Sequence, residues 1–134
     1  MAESQEPLTA VEIEVWCLDL DQPVGALAGL LSPDETERAG RYGRELERNR
    51  FVYARGAVRT ILGEHLGVPG AQLEFAPGSK GKPSLHHPCP GFEFNLTHCE
   101  GMALLALSQD CPVGVDLEYV RARPAQMKIA RRLF

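Results

Sequence analysis

The chain has 134 residues, with 14 Lys and Arg against 18 Asp and Glu and a formal net charge of -4. At 44% hydrophobic and 24% charged residues it is composed like an ordinary globular protein, long enough to bury one core without a disulfide scaffold. The acidic balance argues against nucleic acid as a partner, and no apolar run approaches the roughly 20 residues of a membrane span.

The opening segment, MAESQEPLTA, is polar and lacks a basic stretch followed by an apolar one, so the chain reads as cytoplasmic. From residue 11 polar and apolar residues alternate. Val11, Ile13 and Val15 fall on one side, Glu12, Glu14 and Trp16 on the other, which predicts a strand ending near Asp19. The short apolar stretch 25–31 predicts a helical turn. Ser32-Pro33-Asp34-Glu35 then opens a helix on three agreeing signals: a serine cap, a proline at the first helical position and a glutamate that completes a capping box. The helical region runs towards Leu66 with a break near Gly40 or Gly43, and Gly67 and Pro69 stop it. Phe51, Ala54, Val58, Ile61, Leu62 and His65 recur at helical spacing and predict a core-facing stripe. Arg48, Arg55 and Arg59 share a neighbouring face. Such a stripe is usually a solvated, salt-bridged surface, and composition alone leaves this one undecided.

Residues 68–91 are rich in Gly and Pro and read as loop, with a short strand over 72–75. Within the loop, Ser79-Lys80-Gly81-Lys82-Pro83 sets two lysines around a glycine. Glycine lets the backbone approach an anion, and lysine supplies a point charge for phosphate. His86, His87, Cys89, His98 and Cys99 follow no standard zinc spacing, and the prolines around Cys89 suggest a stiff surface loop instead. Cys17, Cys89, Cys99 and Cys111 match no disulfide framework and are expected to be reduced and partly buried.

Phe92, Phe94 and Leu96 alternate as a strand, and the apolar run 102–108 predicts a buried one. A turn over 109–112 sends 113–118 back as a hairpin partner. On that strand Asp116 and Glu118 leave the same face, where two like charges repel unless a cation lies between them. Magnesium suits such a pair because it takes one or two carboxylates together with substrate phosphates; the plain alternative is an exposed acidic strand end. Asn95-Leu96-Thr97-His98 follows its strand directly. There the imidazole can donate to an anion and the hydroxyl can add a second bond, the plain alternative being a loop histidine bonded to a nearby carbonyl. Beyond Pro124 a helical pattern begins with Met127, Ile129, Ala130, Leu133 and Phe134. The order of elements predicts an α+β lobe, helices packed on a mostly antiparallel sheet.

In order along the chain, Gly81-Lys82-Pro83, then Phe94-Asn95-Leu96-Thr97-His98-Cys99, then Gly114-Val115-Asp116-Leu117-Glu118 resemble the motifs of the 4'-phosphopantetheinyl transferases. The nearest type is the long, pseudo-dimeric one that activates peptide and polyketide synthases. Leu31-Ser32-Pro33-Asp34-Glu35 with Arg38, and Ala54-Arg55-Gly56-Ala57-Val58-Arg59, match that type as well. The resemblance implies transfer of the phosphopantetheine arm of coenzyme A to a serine of an acyl or peptidyl carrier protein, releasing adenosine 3',5'-bisphosphate. It implies magnesium on Asp116 and Glu118, coenzyme A phosphates at Lys82, Thr97 and His98, and the nucleotide near Arg38, Arg55 and Arg59. His98, Asp116 and Glu118 then form the catalytic set. Thr97 keeps the hydroxyl of the family's serine, whereas Cys99 replaces a second serine and does not.

The resemblance also implies one lobe of a pseudo-two-fold architecture over 1–118, with 119–134 serving as linker and start of the first helix of a second lobe. The family's general base comes from a Glu and a Lys in a W-x-x-K-E-A-type motif of that second half, and the only tryptophan here is Trp16. The chain is therefore expected to be a truncated or split transferase, poorly active alone, whose second lobe another chain could supply. The alternative is a non-catalytic α/β module that binds coenzyme A or a partner protein through its unfinished face.

Overall fold

The computed structural model describes residues 11–77, 83–85 and 92–120. Strand β1 (Ile13–Asp19) is followed by a 3-10 turn over Gly25–Leu30, helix α1 (Pro33–Gly40) and the 22-residue helix α2 (Glu45–Leu66). A second 3-10 turn (Gly70–Gln72) leads to β2 (Phe75–Pro77), β3 (Pro83–Leu85), β4 (Phe92–Cys99) and β5 (Met102–Gln109). β1, β5 and β4 form an antiparallel sheet in that order, and β2 and β3 pair antiparallel beside it. This is the α+β lobe expected from the sequence.

Each element has a local cause. At α1, Ser32 Oγ accepts from Glu35 N–H while Glu35 Oε1 accepts from Ser32 N–H, so the capping box is closed on both sides. The chain breaks between the helices over 41–44 and resumes at Glu45. Gly67, with φ of 70°, ends α2 in the left-handed conformation that glycine adopts without steric cost. β4 and β5 are joined through Glu100-Gly101, which makes their ladder run from Phe92↔Gln109 to Cys99↔Met102.

The register decides which side chains meet the helix. Trp16 and Leu96 both oppose Leu105, and Phe94 opposes Leu107. Leu18, Phe94, Leu105 and Leu107 then join Ala54, Val58, Ile61 and Leu62 of α2 in one core. Ile13, Val15 and Met102 lie on the sheet's other face and stay about half exposed. The alternation of β1 was legible, but its apolar side is the exposed one.

Four expectations need correction. The strand foreseen over 72–75 begins only at Phe75, because the carbonyls of Gly70 and Leu73 accept from the Arg59 guanidinium instead of entering a ladder. His65, foreseen on the core stripe, lies at its edge between a helix carbonyl and a β1 carboxylate. Residues 113–118 form no strand: Val115 N–H donates to the Asn95 side chain rather than to a neighbouring backbone, and Pro112 brings no N–H. Cys17 is exposed rather than partly buried, whereas Cys99 and Cys111 are half-buried as expected, and all three are free thiols. Among the described residues no helix is long and apolar enough to cross a membrane.

Candidate functional site

A cavity of about 520 Å³ opens between α1, the middle of α2 and the segment leading into β2. Its wall carries Ser32, Asp34, Glu35 and Arg38 from α1 and its cap, Arg55 and Arg59 from α2, and Leu73, Glu74 and Phe75. The arginines of this wall play two different parts.

Arg59 is only 2% exposed, the largest of the fully buried side chains. A charge so placed is tolerable only when its donors are satisfied. Nε and Nη2 lie 2.7 and 2.6 Å from Glu35 Oε1, and Nη1 donates to the carbonyls of Gly70 and Leu73 at 3.0 and 2.6 Å. Its guanidinium carbon also sits 5.0 Å from the centre of the Phe75 ring. The usual fate of a helix arginine, a wet surface, does not apply to Arg59.

Arg38 and Arg55 are the opposite case. Both guanidinium carbons approach the Phe51 ring, at 5.2 and 5.4 Å from its centre, and among the described residues neither forms an ion pair within 4.0 Å. Burial pulls the pKa of Arg55 below the ordinary arginine value; Glu35 opposes that shift and the like charge of Arg38 adds to it. Arginine remains cationic at neutral pH regardless, so the cavity holds two guanidinium groups that, among the described residues, close no ion pair. Phe51, read from the sequence only as core, is the platform for this pair. Its spacing of four residues from Arg55 was the available clue.

The remaining expected residues divide by face. β4 continues through Cys99, so Thr97 and His98 are part of the strand rather than a corner after it, and alternation sends them to opposite faces. Thr97 shares its face with Asn95, whose Oδ1 accepts from Val115 N–H at 2.8 Å. That bond brings the acidic segment to the Thr97 side of the sheet. Along the segment burial alternates, with Val113, Val115 and Leu117 inward and Asp116 and Glu118 exposed. The two carboxylates therefore share one solvent-facing side even without a ladder. Among the described residues no cluster of three His, Cys, Asp or Glu is placed to hold a metal, so Asp116 and Glu118 stand as a pair. Lys82, His86, His87 and Cys89 lie outside the described residues, as do residues 121–134.

One cation was not foreseen. Arg50 grips Asp21 through both nitrogens, at 2.7 and 3.1 Å, directly beside Gly101 in the β4–β5 turn. Each group favours the charged form of the other: the hydrogen bond lowers the Asp21 pKa and raises that of Arg50. Twenty-nine residues separate the partners, and no local pattern announces such a pair.

No family model matches the chain. Individual proteins do. The 4'-phosphopantetheinyl transferase HetI of Nostoc sp. is 39% identical over 132 residues, covering 95% of this chain and 56% of HetI. The chain belongs to the 4'-phosphopantetheinyl transferase superfamily. A Synechocystis sp. protein named for the same activity is 34% identical over 90% of the chain and 50% of its own length. The human L-aminoadipate-semialdehyde dehydrogenase-phosphopantetheinyl transferase is 30% identical over 65% of the chain and 29% of its own length. This member of the superfamily thus spans about half the length of the first two relatives. Its cavity, its Thr97 strand end and its acidic pair all fall inside the part they share.

Proposed function

We propose that this lobe binds coenzyme A as part of a 4'-phosphopantetheinyl transferase, the enzyme class that moves the phosphopantetheine arm onto a carrier-protein serine. The observation that carries the proposal is the cavity in which Arg38 and Arg55 both approach Phe51 and, among the described residues, neither closes an ion pair. A phosphate between two guanidinium groups satisfies both through charge-assisted hydrogen bonds. The chain's identity to proteins named for this transferase supports the choice of coenzyme A over other phosphorylated ligands.

Asp116 and Glu118 suit magnesium, since two exposed carboxylates on one side leave the rest of its oxygen shell to water and pyrophosphate. When bound, the ion would supply charge neutralisation at the phosphoryl group. The chain's own groups would bind and orient. Arg38 and Arg55 hold the nucleotide end, the Thr97 hydroxyl donates from the sheet face that the acidic segment crosses, and Lys82 adds positive charge along the phosphates, while His98 leaves β4 on the opposite face. Within these 134 residues no tryptophan beyond Trp16 is present to head the family's base motif, so we assign removal of the serine proton to a second lobe outside them. Its docking face would be the outer side of the sheet, where Ile13, Val15 and Met102 are exposed. That same face favours a second reading, a module that only binds a partner protein.

Thermal melts separate the two. Coenzyme A is expected to raise the melting temperature when magnesium is present, and Asp116→Ala or Glu118→Ala should remove the magnesium-dependent part. A melting temperature indifferent to coenzyme A in both conditions would leave the partner-binding module as the function.

A further inference from the structure

Arg59 and Glu35 sit in the wall of the proposed nucleotide cavity, yet every Arg59 nitrogen already has a protein partner. Glu35 Oε1 is equally occupied, accepting from Ser32 N–H and from Arg59. The two side chains therefore join the α1 cap, α2 and the turn before β2 at one point. The backbone closes there too: a Cβ on Gly70 would stand 2.6 Å from the Arg59 carbonyl oxygen, so the turn rests directly on α2. The cavity's other two arginines hang from the same pieces, Arg38 from α1 and Arg55 from α2, four residues before Arg59.

We infer that Glu35 is a positioning residue: by locking Arg59 it sets the separation of Arg38 and Arg55, and Arg59 itself does not touch the nucleotide. The inference rests on the proposed nucleotide reading and revises the part expected of Arg59. It has a consequence opposite in sign to simple electrostatics. Glu35 is an acid in an anion-binding cavity, and its buried Oε2 has no hydrogen-bond partner among the described residues. On charge alone, removing it should strengthen anion binding. Asp34 lines the same cavity, is exposed and, among the described residues, closes no ion pair, so it serves as the control.

The experiment is calorimetric titration of the full chain with adenosine 3',5'-bisphosphate, alongside near-ultraviolet circular dichroism of each variant. Asp34→Asn should tighten binding about twofold, the size of a screened surface charge effect. Glu35→Gln should weaken it about tenfold, as should Arg59→Lys, which keeps the charge but cannot span a carboxylate and two carbonyls. A folded Glu35→Gln chain that binds as tightly as wild type or tighter overturns the inference. Should these variants lose their fold, the wild-type arginine Nε–H resonances decide. Saturation with the nucleotide is expected to move those of Arg38 and Arg55 and leave that of Arg59, whereas a shift of Arg59 as large as theirs overturns the inference. Absence of binding to the wild-type chain overturns the nucleotide reading and this inference with it, while binding with the wrong variant signs overturns the inference alone.

Discussion

His65 shows how much a single ring can reveal. Its Nδ1 lies 2.9 Å from the Ile61 carbonyl oxygen and its Nε2 lies 2.7 Å from Glu14 Oε2. Both neighbours are acceptors, so only a ring that donates from both nitrogens satisfies both, and the pair favours the imidazolium. The Ile61 carbonyl raises its pKa most and the Glu14 carboxylate next, with burial opposing them. The folded value exceeds the unfolded one of about 6.5. The bond to Glu14 therefore contributes stability that is fully present below that pH and lost as pH rises through the folded value. For a pair this exposed the contribution is about 0.5 kcal/mol, or about 2 °C. Melting temperature followed against pH should fall less steeply through this range in Glu14→Gln than in wild type. Parallel curves would show that the tie between α2 and β1 has no energetic weight.

At the scale of elements, close packing outweighs propensity. Alanine in place of glycine inside an exposed helix gains about 1 kcal/mol from propensity. At Gly63 that gain is overridden, because a Cβ there would stand 2.6 Å from the Val68 carbonyl oxygen and 3.0 Å from the Gly70 nitrogen, both backbone atoms. Gly63→Ala is expected to lower unfolding stability by about 1–3 kcal/mol in urea titrations, the range for overpacking. A more stable variant would mean that the turn after α2 moves away freely. The same contrast explains which elements were legible in the sequence. The α1 cap is written within four residues, and β4 and β5 announce themselves by alternation and a continuous apolar run. Arg59 could not be read this way, because its carboxylate lies 24 residues upstream and its carbonyl partners 11 and 14 residues downstream. The displaced start of β2 follows from those same bonds. The acidic segment kept its alternation and lost its ladder, since periodicity fixes which side a residue takes and says nothing of who accepts its N–H.

In the whole molecule, the arginine cavity and the exposed apolar surface occupy different places, and the acidic segment lies with the latter. The nucleotide cavity is set into the helical side, walled by α1, α2 and the approach to β2. The sheet's outer side carries Ile13, Val15 and Met102, together with the acidic segment crossing at Asn95. A transferase lobe with this layout would hold the nucleotide end of its cofactor on the helical side and meet a second lobe at the sheet face that carries the acidic segment. The Phe75 ring ties the cavity wall to the core, 5.0 Å from the Arg59 guanidinium carbon and 5.8 Å from the Phe94 ring of β4. The central claim is that one coenzyme A molecule spans from the arginine pair to the acidic pair. A nitrogen–proton correlation NMR titration of the chain with coenzyme A and magnesium tests it directly. Saturable shifts are expected in one process at Arg38, Arg55, Thr97 and the backbone of residues 115–118, with the last group moving only when magnesium is added. Shifts confined to Ile13, Val15 and Met102, or none at the arginines, would contradict it.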